Sequence, residues 1–188
     1  MAKKETKTES KKTDNNVIRK VILEKMVLNC GGTAEKLDRS VKLLNLLTGK
    51  KVKEVVSQKR IPTFGVRPGL KTGCFVTLRG PEKEALLKRL FGAVENTIKK
   101  KKIQSNHFSF GIKEYLEIPD MEYQRDIGVI GFDVTVVFRR AGKRTGVKKI
   151  KAGKVPIKQD VSVEEIADYL KTKLNIDVEE AGKKSEED

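Results

Sequence analysis

GFDVTVVF, residues 131–138, alternates large apolar side chains with small or polar ones. Phe132, Val134, Val136 and Phe138 fall on one side of an extended chain, and Asp133, Thr135 and Val137 on the other. Side chains along a strand alternate with a period of two, and branched and aromatic residues suit a pleated, half-buried surface. The segment therefore reads as a strand with one face turned to a core. FSFGI, residues 108–112, reads as a further strand, as does CFVTLRG, residues 74–80. VILEKMVLNC, residues 21–30, is rich in branched and aliphatic residues and stops at Gly31-Gly32, as a strand entering a tight turn does. KKVKEVV, residues 50–56, is a shorter candidate, and residues 58–73 read as a long loop punctuated by Gly and Pro.

Three helices fit between and after the strands. Thr33 is placed to cap the first, whose apolar positions Leu37, Val41, Leu44 and Leu47 share a face and whose stop is Gly49. The second opens at Pro81, with Glu82 and Glu84 in its first turn, where the helix dipole favours anions. Leu87, Leu90, Val94 and Ile98 give it one apolar face, and the lysine run 99–102 stands at the end where cations are favoured. The third starts with a capping box, Ser162 to the amide of Glu165 with Glu165 reaching back, and buries Ile166, Leu170 and Leu174. Strands and helices interleave without a regular βαβ rhythm. The expected class is α+β: one domain over residues 17–178, a largely antiparallel sheet with helices packed on one face, and a long basic loop.

Charge narrows the function. The 188 residues hold 41 Lys and Arg against 26 Asp and Glu, a net charge of +15. That excess points to an anionic polymer as partner. No apolar run approaches the roughly 18 residues of a spanning helix, and no secretory leader opens the chain, so neither a membrane nor export is expected. Residues 1–16 and 179–188 are too polar to offset the entropy of ordering, and read as a basic and an acidic tail. Cys30 and Cys74 have no metal-ligand spacing and read as reduced, buried small residues.

No catalytic set assembles. His107 is the only histidine, without a nucleophile or metal partner in sequence, and GKRTG, residues 142–146, merely echoes a phosphate-binding loop. No enzyme activity, cofactor or small-molecule substrate is expected. RRAGKRTGVKKIKAGK, residues 139–154, is different: eight Lys or Arg and no acid. Like charges at that density repel one another, so a mobile, extended loop over 139–155 is expected until a polyanion condenses it. Gly142, Gly146 and Gly153 let backbone approach phosphates, and the absence of aromatics argues for phosphate contact and shape recognition over base stacking.

The order and spacing of KMVLNCGG, LLTGKK, PTFGVRPGLKTGCFVTLRG, NHFSFGIKEYLEIPDMEY and IGVIGFDVTVVF resemble the universal large-subunit ribosomal protein five family. The eukaryotic member of that family is large-subunit protein eleven, and the likeness is to its archaeal and eukaryotic cytosolic branch. It runs from about Val21 to Val178. The resemblance implies a protein of the central protuberance that binds 5S ribosomal RNA and bridges it to the large ribosomal RNA beside other ribosomal proteins. It implies a cytoplasmic place on the ribosome, with nucleolar assembly if the source is eukaryotic. It also implies that the loop, through Arg139, Arg140, Lys143, Arg144, Lys148, Lys149, Lys151 and Lys154, reaches the peptidyl-site transfer RNA.

The family's 5S contacts fall on Asn29, Phe64 and Thr77. Asn29 either reads RNA or satisfies the glycine turn after it. Phe64 either stacks on a base or sugar or tucks into the core, and Thr77 either presents its hydroxyl or simply packs. Lys50 stands where relatives often carry Gln, trading directional hydrogen bonds for a point charge. Arg67 and Arg79 add phosphate contacts. The turn after Asn29 is shorter than in many relatives, and the basic loop lacks the aromatic and Pro residues some of them carry. The competing reading is a free-standing RNA chaperone or duplex-binding module, which predicts weak discrimination among RNAs.

Overall fold

The computed structural model describes residues 17–179. After a short 3-10 turn the chain forms β1 (Val21–Gly31), α1 (Glu35–Thr48), β2 (Lys53–Val56), β3 (Lys71–Leu78) and α2 (Glu82–Gly92). Then come β4 (Thr97–Lys99), β5 (Ile103–Gln104), β6 (His107–Ile112) and β7 (Phe132–Arg140). A short α3 (Arg144–Val147), α4 (Val163–Tyr169) and β8 (Asp177–Glu179) complete it. Six strands make one sheet in the order β2-β3-β1-β7-β6-β5, with every pairing antiparallel. The architecture is α+β, as the alternating strands and interleaved helices predict.

One face of the sheet is buried. Leu23, Met26, Leu28 and Cys30 of β1, Cys74, Val76 and Leu78 of β3, and Val134, Val136 and Phe138 of β7 point into it. Helix α1 covers β1 and β3, and α4 packs on β1 and β5. Phe91 of α2 stacks on Phe110 of β6 with ring centroids 4.6 Å apart, and Phe138 meets Tyr169 of α4 edge-on at 5.3 Å. Each such aromatic pair adds about 1 kcal/mol beyond the area it buries. The Ser162–Glu165 capping box forms as expected, and Gly49 ends α1 in the left-handed conformation.

Five local expectations are corrected. Thr33 makes no cap: the amide of Gly32 still bonds to the Thr72 carbonyl, so the chain leaves the sheet late and turns at Ala34, with φ of 49°. In α1 the deepest side chains are Leu37, Ser40, Leu43 and Leu44, with Val41 and Leu47 at the flanks. Ser40 tolerates burial because its hydroxyl donates to the Lys36 carbonyl at 2.7 Å and accepts from Cys30 Sγ.

Helix α2 stops at Gly92, well before the lysine run. Glu95 and Asn96 take positive φ, and Ile98 is buried from a strand instead. That strand, β4, pairs in parallel with β8 (Asp177–Glu179), so strand pairing extends through Glu179, the first residue of the expected acidic tail. Ile176 beside it is buried. The remainder of that tail and residues 1–16 lie outside the described residues. The stretch between β2 and β3 is also less open than expected, because Ile61 and Val66 bridge and close a tight turn over Pro62–Phe64.

Candidate nucleic-acid interface

Among the described residues the other face of the sheet carries no helix, and its ladders align side chains into rows. Lys53, Phe75, Asn29, Asp133 and Gly111 stand opposite one another across β2, β3, β1, β7 and β6. The next row is Thr77, Val27, Thr135 and Ser109. A third runs Lys25, Val137, His107 and Gln104. These residues are all partly or fully exposed, and they are mostly polar. Lys101 and Lys102, on the 3-10 turn before β5, border a shallow cleft of about 470 Å³ that also includes Asn29, His107 and Asp133. Lys101 and Lys102 thus stand at the rim of this face and not at a helix end.

Of the six residues expected at 5S RNA, two share this face. Asn29 lies exposed near the end of β1, still paired within the ladder to Phe75 and Asp133. Thr77 is its diagonal neighbour on β3, on the order of 7 Å away. Phe64 stands beyond the other end of β3, at the tip of the hairpin. It is 77% exposed, held out by the Gly65 left-handed turn, and not in the core. Arg67 is exposed beside it on the same loop. Arg79 is exposed just past the opposite end of β3. Lys50 is nearby but engaged: its Nζ pairs with Glu82 Oε2 at 2.8 Å. Period-two reading of β3 and β6 adds Phe75, Ser109 and His107 to Asp133 and Thr135, which the alternation of residues 131–138 already places away from the core. Lys53 needed the register of an edge strand. Its ammonium lies 5.7 Å from the centre of the Phe75 ring.

The basic segment is more built than its charge suggests. Arg139 and Arg140 are not loop residues: they are paired with Ile22 and Val21 at the end of β7. Arg140 is occupied as well, its guanidinium gripped by both carboxylate oxygens of Glu165 and donating to the Lys158 carbonyl. It is 10% exposed, so it is a structural residue rather than a reaching one. Beyond it α3 makes one turn, and the Gly153 amide returns to the Thr145 carbonyl at 3.0 Å, folding the arm back on itself. Lys148, Lys149, Lys151 and Lys154 are exposed on its outer part with Val147 and Ile150 among them. Lys143 is half-buried and Arg144 exposed at its start.

The foot of the arm is clasped by Asn106, which takes positive φ. Its Nδ2 donates to Asp160 and its Oδ1 accepts from the Val161 amide, both at 2.8 Å. Its carbonyl accepts from Phe138.

An α+β protein with one face of its sheet open among the described residues, polar and edged with lysines, an aromatic presented on a hairpin tip and a basic arm offers a surface suited to a polyanion. Residues 71–163 match the C-terminus of the ribosomal L5 family. The chain is 34% identical to the large ribosomal subunit protein uL5 of Methanosphaera stadtmanae over 167 residues, 87% of this chain and 99% of that protein. It is 36% identical to the uL5 of Methanospirillum hungatei over the same shares of both chains. Against the uL5 of Nanoarchaeum equitans identity is 37%, over 86% of this chain and 97% of the relative. The chain belongs to the uL5 family of large-subunit ribosomal proteins. It is accordingly a structural, RNA-binding protein of translation and not an enzyme.

Proposed function

We propose that this chain binds 5S ribosomal RNA with the open sheet face and the hairpin tip, and helps join it to the large ribosomal RNA in the central protuberance. The observation that carries the reading is the juxtaposition of Asn29 and Thr77 on one uncovered face, with Phe64 projecting from the end of the same hairpin. A rigid sheet sets the spacing of these groups before RNA arrives, so little ordering is needed on binding. Lys25, Lys53, Lys101 and Lys102 on the face, with Arg67 and Arg79 at its ends, supply phosphate neutralisation. Lys50 contributes its charge there only by leaving Glu82.

The arm has a separate task, contact with the peptidyl-site transfer RNA. Lys143, Arg144, Lys148, Lys149, Lys151 and Lys154 carry it, with Arg139 and Arg140 holding its root. The place of work is the ribosome in the cytoplasm, beside neighbouring ribosomal proteins. The test is binding of the purified chain to 5S ribosomal RNA and to an unrelated RNA of equal length across a salt series. Each neutralised phosphate contributes a slope of about 0.7–0.9 in log affinity against log salt. An advantage for 5S RNA that survives high salt supports recognition by the folded face. Two RNAs that lose affinity together overturn it and favour a non-selective RNA chaperone.

A further inference from the structure

Asp133 is an anomaly on a surface built for a polyanion. Of the side chains in the three rows of the open face it alone is a carboxylate, and it has no ion-pair partner among the described residues. It is exposed in the middle of the sheet, between Asn29 on β1 and Gly111 on β6. Its position is also prepared. A Cβ at residue 111 would stand 3.0 Å from Asp133 Oδ1, so Gly111 is what lets the carboxylate lean across β6. Towards phosphate such a group is repulsive, whereas towards an N–H or O–H donor it is an acceptor.

We propose that Asp133 is the specificity-determining residue of a site that reads one unpaired guanine in the bound RNA. The proposal rests on the 5S RNA reading above and names the chemistry of its central subsite. A carboxylate offers two parallel acceptor oxygens. The Watson–Crick edge of guanine presents two adjacent donors, N1–H and the N2 amino group. Adenine and cytosine present one amino group there, and uracil one imino proton. Base pairing hides that edge, so the guanine is unpaired, as RNA read in sequence commonly is. Asn29, next in the row, supplies an amide donor for guanine O6, and Phe75 beyond it supplies an aromatic surface. Lys101 and Lys102 border the same cleft and take the phosphates.

The experiment exploits a difference in sign. If Asp133 merely sits in the field of the RNA, Asp133→Asn removes a repelling charge and tightens binding to every RNA. If it reads guanine, Asp133→Asn weakens binding to 5S RNA by about fivefold to a hundredfold, the range for losing one bidentate base contact. The unrelated RNA then gains slightly or does not change. The salt slope for 5S RNA stays the same, because no phosphate contact is lost.

The companion measurement uses 5S transcripts partially substituted with inosine, which lacks the N2 amino group, selected by binding to the full chain. One unpaired position is expected to show interference with the native protein and none with D133N. Unweakened 5S binding by D133N, or an interference pattern independent of residue 133, overturns the inference while native preference for 5S RNA stands. A native chain without that preference overturns the underlying reading and this one with it. Residue 133 faces solvent, and equal thermal midpoints for the two proteins confirm that folding is not the variable.

Discussion

Both carboxylate oxygens of Glu165 accept from the Arg140 guanidinium, joining the end of β7 to the first turn of α4. The same carboxylate accepts from the Ser162 amide, so one side chain closes the capping box and anchors the strand from which the basic arm departs. Arg140→Ala leaves Glu165 with half its partners. Because Glu165 is 40% exposed, the loss is set below that of a fully buried pair, at about 2 kcal/mol. Urea unfolding of the two proteins measures it.

The same pair gives an acid limb. Burial pushes the Glu165 carboxyl upward, but hydrogen bonds from Arg140 and Ser162 outweigh it and hold the group below its usual 4.5. A carboxyl depressed in the folded state contributes stability above its unfolded value, and that contribution is lost as pH falls through the folded one. Stability therefore declines below about pH 4.5, and the decline is shallower in Arg140→Ala. Denaturant midpoints from pH 7 down to 3 test the difference.

Cys30 and Cys74 face each other across β1 and β3, and both are buried. Burial first, and the neighbouring Cys30 second, push the Cys74 thiol up to about 11. A thiol raised in the folded state contributes stability that is fully present below its unfolded value and lost as pH rises towards the folded one. Stability is expected to fall between about pH 9 and 11, and less so in Cys74→Ala measured against its own neutral value. At neutral pH both thiols resist alkylation until denaturant is added, which mass spectrometry reads directly.

Gly131 immediately precedes β7, at the start of the stretch 131–138. A Cβ there would stand 2.4 Å from the Lys113 carbonyl oxygen and 2.6 Å from that of Ile112. Both neighbours are backbone, so the end of β6 or the entry to β7 must move. Gly131→Ala is expected to cost about 3 kcal/mol, the upper part of the overpacking range. The fall in thermal midpoint measures it.

Phe64 and the arm separate affinity from stability. Phe64→Ala leaves the thermal midpoint nearly unchanged, since the ring touches solvent, and weakens 5S RNA binding by about 1–3 kcal/mol, the value of one stacked base. Neutralising Lys148, Lys149 and Lys151 together does the reverse division: 5S binding stays nearly intact while contact with ribosome-bound transfer RNA weakens. Filter binding and footprinting on reconstituted subunits distinguish the two. Loss of isolated 5S binding in the triple variant overturns the separation of arm from body.

Much of this protein was readable one segment at a time. Alternation in residues 131–138, the capping box at Ser162 and the stop at Gly49 are local patterns with local causes, and each forms as read. So is the excess of positive charge, which pointed to an anionic polymer before any fold was known. What failed was decided at a distance. Ile98 fits a helical face, yet Asn96 turns the chain and Asp177, far along it, bonds to the Asn96 carbonyl, drawing Ile98 into a strand. Thr33 lost its cap to a hydrogen bond between Gly32 and Thr72, and Arg140 lost its freedom to Glu165.

The open face shows the same division. Strand alternation marks Asn29, Phe75, Thr77 and Asp133 as residues pointing away from the core. Only the register of three strands sets Asn29 between Phe75 and Asp133, because pairing partners are chosen by the packing of the whole sheet and not by any one strand alone.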